Sequence, residues 1–128
     1  MCASLHAVEP DCDVSKLLRA IATKEGQAQD AIGPHGERSI YGITPAVWEQ
    51  HYGEWPFALC TADPHVAFHC AWKHCQWLAN ELSKAGYPPS AYCIAAAWHS
   101  GLKGYLALAQ AGRESEYGKD VLAIYNSP

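Results

Sequence analysis

The sequence predicts a mainly α protein forming one domain over residues 1–128, and three observations carry that prediction. Apolar residues recur at helical spacing through most of the chain, cap-type residues open the periodic stretches, and strand-type alternation is weak throughout. The chain has 128 residues, the size of a single domain. Of these, 49% are hydrophobic and 17% charged, a balance that fills a core and does not resemble a disordered tract.

Asp13-Val14-Ser15 reads as the start of a helix that carries Leu17, Leu18, Ile21 and Ala22 on one face and stops at Glu25-Gly26. Residues 27–40 hold Gly33, Pro34 and Gly36 among polar residues and read as an irregular loop or a small hairpin. Thr44-Pro45 is an N-cap followed by Pro at the first helical position, and it predicts a short helix through Trp48 and Gln50 that ends near Gly53. Asp63-Pro64 repeats that signal and opens the longest helix, through Val66, Cys70, Trp77 and Leu82 to Ala85, with Gly86 as the stop. Pro88-Pro89-Ser90 introduces a helix over Ala91 to Trp98 that is apolar almost all round and therefore belongs in the core. After Gly101 a shorter piece is expected over Gly104 to Ala111. A final helix from Ser115 to Tyr125 turns Val121, Leu122 and Tyr125 inward.

Composition removes several classes of function. Net charge is −4 and the pI about 5.9, so no basic excess is present to neutralise phosphates, and nucleic acid is not an expected partner. No apolar run is long enough to span a bilayer. Met1-Cys2-Ala3-Ser4-Leu5 lacks the basic start and apolar centre of a secretory signal. Six cysteines, Cys2, Cys12, Cys60, Cys70, Cys75 and Cys93, permit disulfides in an oxidising compartment, with Cys2 and Cys12 able to close an N-terminal loop. They equally permit buried thiols that pack as small hydrophobes.

Two clusters of reactive residue types carry little. His65, His69, Cys70, His74 and Cys75 fall in one helix, but at about 100° per residue His74 points away from the face shared by His65 and His69. No single face gathers three metal ligands, and neither a metal nor a cofactor is expected. Cys93 is the nearest candidate for a peptidase-type nucleophile, yet it lies inside an apolar helix, where a thiolate is disfavoured. Trp48, Trp55, Trp72 and Trp77 suit core or cleft walls.

Glu25 is the strongest catalytic candidate. It ends an apolar helix immediately before a glycine and a polar loop. A carboxyl in such a half-buried setting is favoured in its protonated form by desolvation, and glycosidic cleavage needs an acid of that kind.

An ordered series of segments supports that reading. The helix end Ile21-Ala22-Thr23-Lys24-Glu25-Gly26 is followed by the small-residue loop Ala31-Ile32-Gly33-Pro34-His35-Gly36. Then come Ser39-Ile40-Tyr41-Gly42-Ile43-Thr44-Pro45, Ala97-Trp98-His99-Ser100-Gly101, and Glu116-Tyr117 through Val121 to Tyr125. In that order the chain resembles the lysozyme-like family of soluble lytic transglycosylases and goose-type lysozymes. The third segment is similar to the family's Gly-Leu-Met-Gln-Ile run and the fourth to its Ala-Tyr-Asn-Ala-Gly run. The likeness spans Ile21 to Tyr125 and departs from the pattern where Gly42 replaces Gln, Trp98 replaces Tyr and His99 replaces Asn. Glu114 and Glu116 also miss the usual spacing to Tyr117.

The resemblance implies a lysozyme-like fold and cleavage of the β-1,4 bond between N-acetylmuramic acid and N-acetylglucosamine in peptidoglycan glycan strands. Glu25 would act as acid and then base. In a transglycosylase the C6 hydroxyl of the sugar attacks and leaves a 1,6-anhydro product. In a hydrolase water attacks, and Asp30 or Glu37 would position it. Ser39, Ile40 and Tyr41 would line the cleft, and Trp98, His99 and Tyr117 would flank the substrate and the acid. The same resemblance implies a periplasmic or extracellular site of action, reached by a mature domain or by a lysin made in the cytoplasm. The alternative is a glycan-binding or structural domain on the same fold.

Overall fold

The computed structural model describes residues 12–128. Cys2, and with it the Cys2–Cys12 pairing considered above, lies outside the described residues, as do Met1 to Leu5.

Among the described residues the protein is mainly helical, with six helices and no sheet. They are α1 (Val14–Glu25), α2 (Pro45–Tyr52), α3 (Ala58–Ala62), α4 (Pro64–Lys84), α5 (Ala91–Gln110) and α6 (Glu116–Tyr125). Their starts follow from local chemistry. The side chains of Asp13, Thr44, Asp63, Ser90 and Ser115 each accept a hydrogen bond from a backbone N–H in the first turn, satisfying a donor the helix itself leaves open. Pro45 and Pro64 take first-turn positions where no N–H is missed. Only α3 has no side-chain cap.

Helix α5 runs through the centre and packs against both α4 and α6, while α1 packs chiefly on α6. Leu17, Leu18 and Ile21 of α1 meet Leu78 and Leu82 of α4, Ile94 to Ala97 of α5 and Val121 of α6 in one buried cluster. The alanine run of α5 keeps that central helix slim enough for neighbours to approach on several sides. Gly101, at φ 77 and ψ 158, interrupts the helical backbone of α5, so the expected division after Trp98 is present as a kink rather than a loop.

The segment between α1 and α2 is irregular, with two isolated antiparallel bridges, Ile32 with Arg38 and Arg38 with Ile43. The second bridge is closed by the N–H of Arg38 donating to the Ile43 carbonyl at 2.7 Å and the reverse bond at 2.8 Å. It pins residues 39–42 as a tight turn beside the end of α1. No helix among the described residues is long and apolar enough to cross a membrane.

Candidate active site

Helix α1 stops because Gly26 adopts a left-handed conformation, φ 65, and its N–H donates to the Ala22 carbonyl. Glu25 is thereby the last helical residue, half-buried, with its side chain leaving the helix end into a groove of about 470 Å³. Lys24, Gly42, Thr44, Trp98, His99 and Tyr117 line the groove with Glu25, and His35 and Glu37 join them from the loop. A second stretch of about 380 Å³ shares Gly42, Thr44, Trp98 and His99 with the first and continues past Gln50, His74 and Trp77. The two stretches make one extended cleft.

Two contacts fix the Glu25 carboxyl group. The Tyr117 hydroxyl donates to Oε2 at 2.6 Å, within the range of strong hydrogen bonds to ionised oxygen. On the other side Oε1 lies against Gly42, where a Cβ would sit only 2.9 Å away. Gly42 also has φ 62, a backbone that disfavours side chains. A side chain at this position would therefore displace the carboxyl group. Tyr117 is buried and stays a phenol: burial first, and then its bond to Glu25, hold its ionisation well above the ordinary tyrosine range.

The ring of His99 lies parallel to that of Tyr117, with centroids 4.3 Å apart and planes within 6°. Trp98 turns inward against His74, and His74 stacks on Trp77. His74 Nδ1 is 3.0 Å from His51 Nε2, so one ring donates to the other. Burial and then the neighbouring His51 lower the His74 pKa to about 4, which leaves a neutral pair under the cleft wall near pH 7. Glu37 is held below the usual carboxylate range by hydrogen bonds from backbone N–H groups, its own and then that of His35. The His35 N–H donates to its Oε1 at 2.8 Å.

Of the residues singled out from sequence, the structure brings Glu25, Trp98, His99 and Tyr117 to one groove, with Glu37 beside them. It does not bring Ser39, Ile40 or Tyr41 to that wall; Gly42 stands there instead. Ser39 is fully buried at φ 71, with its Oγ accepting from the Tyr41 N–H and its carbonyl accepting from Gln27 and Gly42. Tyr41 is buried against Phe68, and Ile40 is half-buried against the core. The tight turn over 39–42 rotates these side chains inward and exposes the backbone of Gly42. Asp30 is exposed and outside the groove wall.

Sequence reasoning missed the second stretch of the cleft. Its lining comes from three separate stretches of the chain, 42–50, 74–78 and 98–102, and the one pointer in the sequence was Trp77 as a residue suited to a core or cleft wall. His69 takes another role, its Nδ1 lying 2.8 Å from the Tyr52 hydroxyl. No group of three or more His, Cys, Asp or Glu side chains among the described residues is arranged to hold a metal ion.

Comparison with known proteins found no matching family model, no matching curated protein and no matching solved structure.

Proposed function

We propose that this protein cleaves the β-1,4 glycosidic bond of peptidoglycan strands between N-acetylmuramic acid and N-acetylglucosamine, with Glu25 as general acid and then general base. The observation that carries the reading is the setting of Glu25. The Glu25 carboxyl group leaves a helix end into a cleft walled by aromatic rings, with one oxygen fixed by a buried phenol. Because Oε2 is engaged by Tyr117, Oε1 is the atom from which a proton would pass to the glycosidic oxygen. Trp98 offers an aromatic face of the kind that packs on the C–H side of a sugar ring.

The motif order supports the same reading. All five segments that resemble the lytic transglycosylase and goose-type lysozyme family contribute residues to this one cleft: Glu25, His35, Gly42 with Thr44, Trp98 with His99, and Tyr117. Ser39 adds a detail, for it stands where the family run has Gly, and its φ of 71 is a glycine-favouring conformation. A lysozyme-like fold and a site of action outside the cytoplasm follow from the reading, since the wall lies there.

After protonation of the leaving oxygen, Glu25 as a carboxylate would take a proton from the attacking group. Attack by the C6 hydroxyl gives a 1,6-anhydro sugar, and attack by water a reducing sugar. Glu37, kept ionised by backbone donors in the same groove, favours the second route because it offers a fixed acceptor for a water. Incubation with purified peptidoglycan and mass analysis of the soluble products tests both. Reducing muropeptides indicate hydrolysis and anhydromuropeptides indicate transglycosylation. Binding without products would support the other reading, a non-cleaving glycan-binding domain, which the missing amide at Gly42 favours.

A further inference from the structure

We propose that His99 is a positioning residue that aims the Tyr117 hydroxyl at Glu25 and shields that bond from water; this rests on Glu25 being the acid of the reaction above. Tyr117 is 9% exposed, whereas His99, stacked flat on it at 4.3 Å, is exposed and lines the groove. The imidazole thus covers one face of the phenol ring, while the rest of Tyr117 reaches the groove lining beside Glu25.

Two consequences follow. A parallel ring in van der Waals contact restricts the tilt of Tyr117, and the aim of its hydroxyl depends on that tilt. Covering that face also limits the approach of water from the His99 side to the part-buried 2.6 Å O–H···O bond, which is stronger where the local dielectric is low.

The frame around the pair is fixed independently. Helix α6 is seated on α5 by Gly118, where a Cβ would lie 2.9 Å from the Tyr92 ring. The Ser115 N–H donates to the Tyr92 hydroxyl at 2.8 Å. These contacts set the register that places Tyr117 opposite His99. Lys24 also lies near the ring, its Nζ 6.0 Å from the Tyr117 centroid and paired with Asp120 at 2.8 Å. Lys24 is therefore engaged elsewhere, and His99 is the side chain that holds the phenol by direct stacking.

The test uses the full chain with His99→Ala and His99→Phe, read in two ways. The first is the proton NMR signal of the Tyr117 hydroxyl, assigned by its absence in Tyr117→Phe. The second is turnover on peptidoglycan, separated into kcat and KM. His99→Ala is expected to broaden the hydroxyl signal by exchange with water and to lower kcat roughly tenfold or more, with KM near that of the unsubstituted protein. His99→Phe keeps a flat ring and is expected to restore both.

An unchanged hydroxyl signal in His99→Ala overturns the proposal. So does a loss confined to KM, which would make His99 a substrate contact, or a His99→Phe variant as impaired as His99→Ala. If the unsubstituted protein yields no products, the cleavage reading fails and the NMR arm still decides whether His99 holds Tyr117.

Discussion

Tyr117 donates a 2.6 Å hydrogen bond to Glu25 across 92 residues of sequence, tying α6 to the end of α1 at the point where the cleft is deepest in chemistry. The bond holds one carboxyl oxygen and leaves the other for the proton transfer proposed above. Tyr117→Phe removes the donor with little change in shape. It should lower turnover roughly tenfold by loosening the acid, and cost on the order of 1 kcal/mol of stability. Steady-state kinetics and urea unfolding on the same preparation measure the two effects.

Gly42 makes a sharper separation between activity and stability. An alanine there meets Glu25 Oε1 at 2.9 Å and adopts φ 62, whereas an alanine at Gly112 adopts φ 71 with nothing within 4 Å. Both substitutions should cost roughly 1 kcal/mol for the left-handed backbone. Only Gly42→Ala should also suppress cleavage, because it must move the carboxyl group. Equal activity in the two variants would show that Gly42 does not constrain the acid.

Acid stability should report on the buried histidine pair. His74 takes up its proton near pH 4 in the folded protein, against an ordinary value of 6.5, because burial first and His51 second oppose its charge. Between those values the unfolded chain binds more protons than the folded one. Stability is therefore full above pH 6.5, falls as pH drops through the window, and levels below 4. The loss attributable to His74 is roughly 3 kcal/mol. His51 is lowered too, by burial and then by Lys73, and adds in the same direction. Urea unfolding from pH 7 to pH 4 should show the decline, and His74→Phe should flatten it.

Four thiols should be inert in the native state. Cys60, Cys70, Cys75 and Cys93 are buried and not in disulfides. Burial is the main cause that raises Cys70 to about 12 and raises Cys60 and Cys75 in the same direction, so little thiolate forms at neutral pH. Alkylation followed by peptide mapping should leave these four unmodified until denaturant is added.

What the sequence discloses about this fold is what neighbouring residues decide. Asp13, Thr44, Asp63, Ser90 and Ser115 could be read as caps because a cap acts within one turn, and each does accept a first-turn hydrogen bond. Helix α3 gave no such signal, since Phe57 supplies no capping side chain and the helix is held by its surroundings. The same divide runs through the site. Glu25 is legible as a helix-terminal carboxyl, but its bond to Tyr117 depends on how α6 seats on α5. Tyr41 faces inward because an unusual left-handed Ser39 begins a tight turn, and no residue-type preference announces that conformation at a serine.

The most direct test of Glu25 as the acid is a paired digestion of purified peptidoglycan by the unsubstituted protein and by Glu25→Gln, with products identified by mass and the fold of both checked by circular dichroism. The substitution keeps the size of the side chain and an oxygen for Tyr117, and removes the group that would give and take the proton. Muropeptides released by the first protein and absent from the second, with matching spectra, are the predicted result. Equal release by both would contradict the assignment of Glu25.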